Sequence, residues 1–286
     1  MICLFVSDLH GQYDLYHKLF ALIEKEPPDA LFLGGDILPS GVGFAASVEI
    51  SNREFIDRFL VKEFLILKGR LGDLYPEIFV ILGNDDGRAE EKAMFEATNN
   101  GVWKYIHNQK VKHNKYNIYG YAFVPPTPFL LKDWERYDVS RYVDPGCISP
   151  EEGIYSFPAP ERKRKFSTIA KDLDNLIGSD DISNSIFLFH TPPYNTNLDR
   201  AALDDRVVEH VQMDIHVGSI AVRNMIEKHQ PLITLHGHVH ESARLTGSWK
   251  DKLGRTFCFS AAHDGPELAI VKFNPDRPEE AKRELI

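Results

Sequence analysis

A chain of 286 residues with 43% hydrophobic and 26% charged side chains has the composition of a globular protein, and its length suits one α/β domain over residues 1–286 better than two average domains. Its apolar runs, such as "LFLGGDIL" and "SIFLFH", fall far short of the roughly 18 residues of a membrane helix, and "MICLFVSDLHG" lacks the basic start and cleavage site of a signal peptide, so a cytoplasmic protein without membrane contact is expected. A formal charge of −9 argues against a sequence-independent grip on nucleic acid, and three widely spaced cysteines, Cys3, Cys147 and Cys258, argue against a disulfide framework or a zinc finger.

In chain order, "ICLFVSD" reads as a buried strand and residues 12–25 as a helix with apolar residues at helical spacing. "ALFLGGD" is a second strand. A helix is expected at 52–68, where "NREFIDRFLVKEFLILK" has a broad apolar face; such a face suits deep burial or a subunit interface, which leaves a homo-oligomer open. "EIFVILGN" is a third strand, and a helix follows at 89–98. From about 123 to 161 the composition turns to proline, aromatics and charge without a sustained period. A connection of that length is usually functional, so a lid or inserted segment is expected at about 125–160. Helices at 162–177 and 219–229 flank the strand "SIFLFH", and "PLITLHGH" is a fifth strand. The segments "SARLTG", "RTFCFSA" and "ELAIVKF" read as antiparallel strands widening a second sheet. Strands alternating with helices imply a largely parallel sheet core with covering helices.

Each of the five core strands ends in potential metal ligands: Asp8 and His10 in "SDLHG", Asp36 in "GGDIL", Asn84 in "GNDD", His190 in "LFHTPP", and His238 and His240 in "HGHVH". Sites in open α/β sheets form at the carboxyl ends of strands, so five loops far apart in sequence can converge on one point. The residue types suit two adjacent divalent ions. A carboxylate such as Asp36 has two oxygens and can bridge them, while the neutral carbonyl of Asn84 keeps the ligand charge low and the ions Lewis-acidic. Mn2+ is the first choice for this mixed, hard-leaning set; Fe, Zn or Ni would fit the same ligands.

In that order, the motifs resemble the signature of the calcineurin-like metallophosphoesterase superfamily: Asp-x-His, Gly-Asp, Gly-Asn-His-Asp/Glu, a lone His, and Gly-His-x-His. The match runs from Ile2 past His240. "HTPPYNTNLD" and "HVGSIAVRNMIEKHQPLITLHGHVHES" resemble its small, uncharacterised predicted-phosphoesterase members. The resemblance implies an α/β fold, a four-layer α/β/β/α sandwich of two mixed sheets flanked by helices. It also implies a dinuclear centre, with Asp8, His10, Asp36 and His240 on one ion and Asp36, Asn84, His190 and His238 on the other.

The sequence departs from that pattern twice. Asp85 stands where the family most often has His, and Ser260-Ala261-Ala262 stands where many relatives have Asn-Pro-Gly. The expected activity is phosphoester hydrolysis of a small substrate, with a phosphodiester favoured and a metal-bridging hydroxide attacking phosphorus in line. A phosphomonoesterase or pyrophosphohydrolase would use the same centre, and a non-catalytic scaffold is disfavoured by the intact ligand set. Asp85, ionised beside two dications, would repel a dianionic monoester more than a diester. His216 and His263 are candidates to protonate the leaving group.

His236 is expected to support its strand from the buried side rather than to ligate. Ser219 and Arg223, at a helix start that favours an anion, and Tyr194 are candidates for substrate binding. Phe129, Trp134 and Tyr137 would either stack on a leaving group or pack the 125–160 segment. The basic run "ERKRK" at 161–165 is expected to be a solvated helix face.

Overall fold

The computed structural model describes residues 1–40, 51–208 and 210–286. The first part of the chain runs β1 (Cys3–Val6), α1 (Tyr13–Lys25), β2 (Ala30–Gly34), α2 (Asn52–Phe55), a π-helical stretch (Ile56–Leu60), α3 (Val61–Leu71), β3 (Glu77–Ile81), α4 (Glu91–Asn99) and β4 (Lys104–Tyr105). It continues through β5 (Gln109–His113), β6 (Tyr116–Tyr121), α5 (Glu161–Phe166), α6 (Ile169–Ile177), β7 (Ser185–Phe189), β8 (Val207–Val208), β9 (Val211–Gln212) and α7 (Ile220–His229). The last elements are β10 (Ile233–His236), α8 (Ser242–Thr246), β11 (Lys250–Leu253), β12 (Thr256–Ser260), β13 (Ala269–Asn274) and β14 (Arg277–Leu285).

Two six-stranded mixed sheets form, in the orders β14-β13-β1-β2-β3-β4 and β11-β12-β10-β7-β6-β5. In the first, β1 to β4 are parallel and β13 and β14 add antiparallel strands at one side. In the second, β6, β7, β10 and β12 are parallel, with β5 and β11 antiparallel at the two edges. β2 packs on β7 and β3 on β6, so the sheets lie face to face, and helices cover their outer faces in an α/β/β/α arrangement. A strand covered on both sides has no solvent face to fill with polar residues. Accordingly "CLFV" of β1, "ALFLG" of β2 and "SIFLF" of β7 are buried at every position. Among the described residues, no helix is long and apolar enough to cross a membrane.

Several expectations need correction. "SARLTG" is the short helix α8, closed by Gly247 in the left-handed region at φ 74°. The helix expected at 162–177 is broken: Ser167 turns extended and the Thr168 hydroxyl accepts the Lys171 N–H at 3.2 Å, which caps α6 as a new helix. Of the late strands, β12 joins the second sheet, parallel to β10, whereas β13 and β14 complete the first. The "ERKRK" run does form a helix, α5, exposed at Glu161, Arg162 and Lys163 and half-buried at Arg164 and Lys165.

Residues 122–160 contain no long strand or helix but carry their own buried centre. The Trp134 indole is fully enclosed, and the Val124 N–H donates to the Trp134 carbonyl at 2.8 Å. Lys132 and Glu135 form a buried ion pair, with Lys132 also donating to the Thr127 carbonyl at 2.8 Å and Glu135 accepting the Thr127 N–H at 2.7 Å. Asp133 accepts the Arg88 N–H at 2.7 Å and ties this segment to the loop after β3.

Candidate metal centre

Five strand ends converge at one edge of the sandwich. Asp8 lies two residues past β1, Asp36 two past β2, Asn84 three past β3, His190 immediately after β7, and His238 and His240 just beyond β10. Asp8, His10, Asp36 and His238 all hold positive φ, at 59°, 43°, 50° and 75°. Non-glycine residues rarely adopt that conformation, and each instance costs about 1–3 kcal/mol unless the surroundings enforce it. Four such residues in one cluster mark a site for which backbone strain is tolerated. Gly83 and Gly237 allow the loops to close on it: a Cβ at Gly83 would strike the Asp36 carboxylate and the His190 ring, and one at Gly237 would strike Ser7 and Asp8.

The donor atoms point at one another. The His190 Nδ1–H donates to the Gly34 carbonyl at 2.8 Å, which leaves the Nε2 lone pair facing Asn84 Oδ1 at 3.0 Å and Asp36 Oδ2 at 3.2 Å. His10 Nε2 and His240 Nε2 face each other at 3.3 Å, and Asp8 Oδ1 lies 3.3 Å from the same His240 nitrogen. Convergent acceptors repel unless a cation or a proton sits among them. Groups able to hold a metal ion are accordingly formed by Asp8, His10 and His240, by Asp8, Asp36 and His190, and by His10, Asp36 and Asp85.

The electrostatics express the same demand for positive charge. Burial works against a charged His190, yet Asp36 and Asp8 beside it raise its pKa to about 10; burial likewise opposes charge on His240, and Asp8 raises it to about 9. Burial opposes ionisation of Asp8 and Asp36, but His240 for the first and His190 for the second hold both below the usual carboxylate range. His238 is pushed down to about 3 by burial and then by His190. A neutral imidazole is the form that ligates.

Asp85 does more than follow the candidate ligand Asn84. Its Oδ1 accepts the Asn84 Nδ2–H at 2.9 Å, which turns the Asn84 carbonyl oxygen toward His190. Its own N–H donates to Asp36 Oδ1 at 2.8 Å, and its Oδ2 lies 3.7 Å from His10 Nδ1. Burial and then Asp36 push its pKa up to about 6. Asp85 thus stands beside Asp36 and His10; its hold on the Asn84 amide is what sequence reasoning missed, because the position drew attention to proton transfer and substrate charge. Asp86, unremarked in the sequence, is fully buried and accepts the N–H groups of Gly83 at 2.9 Å, Ile37 at 3.2 Å and Leu38 at 2.8 Å, locking the loops after β2 and β3 together.

Asp8, His10, Asp36, Asn84, Asp85, His238 and His240 line a cleft of about 370 Å³ that also takes in His263, Asp264 and Glu267. The His263 Nε2 pairs with Glu267 at 3.0 Å. A second cavity, of about 510 Å³, adjoins the cleft through Phe129, His238 and Glu241. His216 and Tyr194 line the second cavity rather than the first; the His216 Nδ1–H donates to the buried Asp199 at 2.8 Å and the Tyr194 hydroxyl to Asp214 at 2.6 Å. His236 is buried, bonded to the Thr191 carbonyl and the Thr234 hydroxyl, each at 2.8 Å, and supports its strand.

The anion at the start of α7 comes from within the protein. The Asp138 carboxylate accepts the Ile220 N–H at 2.6 Å and the Ser219 hydroxyl at 2.6 Å, while Ser219 caps the helix through the Val222 N–H at 3.0 Å. Arg223 donates to the Tyr194 and Asn195 carbonyls at 2.9 and 2.7 Å and pairs with Glu227. Ser219 and Arg223 therefore brace the loop after β7, and neither lines the cleft or the second cavity. Trp134 and Tyr137 are buried in the 122–160 segment, and only Phe129 of the three aromatics, 52% exposed, faces both spaces.

Residues 1–242 match the family model for calcineurin-like phosphoesterases. The chain belongs to the calcineurin-like phosphoesterase family. An uncharacterized protein of Methanocaldococcus jannaschii is 28% identical over 254 residues, which is 88% of this chain and 83% of that protein. One crystal structure superposes with a TM-score of 0.61 at 17% identity, covering 99% of this chain and 98% of the other. The crystal structure of TT1561 of Thermus thermophilus does so at 0.55 and 18% identity, over 99% and 98% of the two chains. At such identities the likeness concerns the fold, the two-sheet sandwich shared by this phosphoesterase. Its phosphoester chemistry rests on the family match and on the Asp/His groups able to hold metal.

Proposed function

We propose that the protein is a phosphodiesterase dependent on two divalent ions, with Asp8, His10, Asp36 and His240 around one position and Asp36, Asn84, His190 and His238 around the other. Mn2+ is the first choice of metal, with Fe, Zn or Ni as alternatives. Ions held there would supply Lewis acidity toward the phosphoryl oxygens and bring the pKa of water from about 15.7 toward 7. The protein's own residues set the geometry. Asp36, between the His190 side and the His10 side, is the candidate bridge, and Asp85 keeps the Asn84 carbonyl turned inward. His216, held by Asp199 with its Nε2 free of that bond, and His263 are the candidates to hand a proton to a departing alkoxide.

The observation that favours diesters is the charge of the cleft. Among its described lining residues stand Asp85, Glu241, Asp264 and Glu267 besides the ligands, and no lysine or arginine. A dianionic monoester or a pyrophosphate would meet this field with only the ions to offset it, whereas a diester carries a single negative charge. The substrate is a small phosphoester by this reading, and the described lining of the cleft offers nucleic acid no lysine or arginine. The test is kcat/KM on matched phosphomonoesters, phosphodiesters and pyrophosphate esters with added Mn2+. Higher kcat/KM for diesters supports the reading; higher kcat/KM for monoesters or pyrophosphates replaces it with the corresponding activity, and no turnover of any class leaves a metal-binding scaffold.

A further inference from the structure

The second cavity, of about 510 Å³, lies within the usual range for small-molecule sites. One wall comes from the 125–147 stretch, with Pro126, Pro128 and Tyr142, and the opposite wall from the loop between β7 and α7, with Leu203 and Met213. It opens onto the metal cleft at Phe129 and His238, so a phosphoryl group held in the cleft can direct one of its ester arms here. The walls are largely apolar. The carboxylates give it charge of one sign: Asp138, Asp144, Asp214 and Glu241 line the space, and among the described lining residues there is no lysine or arginine. Asp138 is neutralised by the start of α7, but Asp144 and Asp214 are near enough that, after burial, the charge of Asp214 is what raises the pKa of Asp144.

We infer that this cavity receives one alcohol of the substrate and takes an apolar alcohol that is neutral or cationic, excluding one with a negative charge. The inference rests on the phosphoester reading above and specifies the substrate class within it. An apolar body gains from desolvation against proline and aromatic walls, a cation gains further from Phe129, Tyr142, Tyr194 and the carboxylates, and an anion meets like charge in a partly dry space.

Three methyl phosphodiesters test it, because only one arm of each is large enough to fill the cavity. Their second alcohols are choline, 3,3-dimethylbutanol of the same shape without charge, and 4-hydroxy-2,2-dimethylbutanoate with a negative charge. Each is assayed as a competitive inhibitor of bis(p-nitrophenyl) phosphate hydrolysis by the Mn2+-loaded protein. p-Nitrophenyl phosphate serves as reporter if the diester is not hydrolysed, so a failure of the diesterase reading shows in the reporter and a failure of this inference in the order of Ki. The expected Ki of the carboxylate is at least about tenfold above that of the neutral compound, with choline equal to or below neutral. The Asp144→Asn/Asp214→Asn double variant should narrow that gap to about twofold, and Tyr142→Arg, at a position 68% exposed, should lower the Ki of the carboxylate. Equal Ki values, no inhibition by any of the three, or a gap unmoved by both variants overturns the inference.

Discussion

Replacing Asp85 by Asn removes one negative charge from the edge of the metal centre while keeping the shape and an oxygen that can still accept the Asn84 amide. The candidate ligand atoms of His10, Asp36 and Asp85 lie within 4.8 Å of one another, so a phosphoryl group seated on that centre comes within about 5 Å of the Asp85 carboxylate. At that distance the second negative charge of a monoester costs about 1 kcal/mol in a water-like medium and about 3 kcal/mol at an effective dielectric constant of about 20. Relief of that repulsion raises kcat/KM for a monoester by about 5- to 150-fold relative to a diester. The assay compares p-nitrophenyl phosphate with bis(p-nitrophenyl) phosphate at about pH 8 and one Mn2+ concentration. The protein alone raises the Asp85 pKa only to about 6, and adjacent dications would lower it, so the wild-type carboxyl is ionised there in either case. Because the quantity read is a ratio, a general loss of metal or fold cancels. A ratio unchanged within about twofold, or shifted toward the diester, refutes the reasoning. Asp85→His should move the ratio in the same direction and, where the imidazole also donates a proton, further.

Above about pH 7, where Glu135 must carry its charge, Lys132→Met leaves that buried carboxylate without its cation and should destabilise the fold by about 3–5 kcal/mol, measured by thermal or urea unfolding. In the wild type, burial holds the Glu135 pKa at about 7 against an ordinary 4.5, so the folded state retains a proton the unfolded state has lost, and this group's contribution to stability falls as pH rises from 4.5 to about 7. The Lys132→Met deficit should therefore be larger above that window than below it; a deficit independent of pH would contradict the assignment. Hydrogen exchange should find the Lys132–Tyr137 stretch protected without ligand, because Lys132, Trp134 and Glu135 are buried. The Val139–Cys147 stretch lining the second cavity should gain protection when a phosphate analogue binds, and identical exchange in both states would deny the 125–160 segment a lid role.

The sandwich and its family were legible because the chemistry recurs at strand ends. "SD", "GGD", "GN", "FH" and "HGH" each follow a mainly apolar run, broken only by Thr234 before the last, as suits parallel strands buried on both faces. Where local signals were mixed, reading failed. "QKVKH" and "YNIYGY" form the antiparallel pair β5 and β6, but charged alternation on an edge strand resembles a loop. "SARLTG" lacks the length to separate helix from strand by period. The brace of Ser219 by Asp138 joins positions 81 residues apart, and the second cavity is assembled from two loops on either side of β7, so neither could be read from local spacing. The part of Asp85 in turning Asn84 depends on side-chain geometry that the dipeptide does not reveal.

The proposed centre is a pair of ions sharing Asp36. Its most direct test is the metal content and activity of purified Asp36→Asn beside the wild type and His238→Ala, with melting temperature and circular dichroism recorded for each. About two Mn2+ per wild-type chain are expected, at most one in Asp36→Asn, and an intact fold with hydrolysis lost in both variants, the deeper loss being at Asp36 because it would serve both positions. Full activity in a metal-analysed Asp36→Asn protein, or wild-type activity that survives complete removal of metal by a chelator, would contradict the proposed centre.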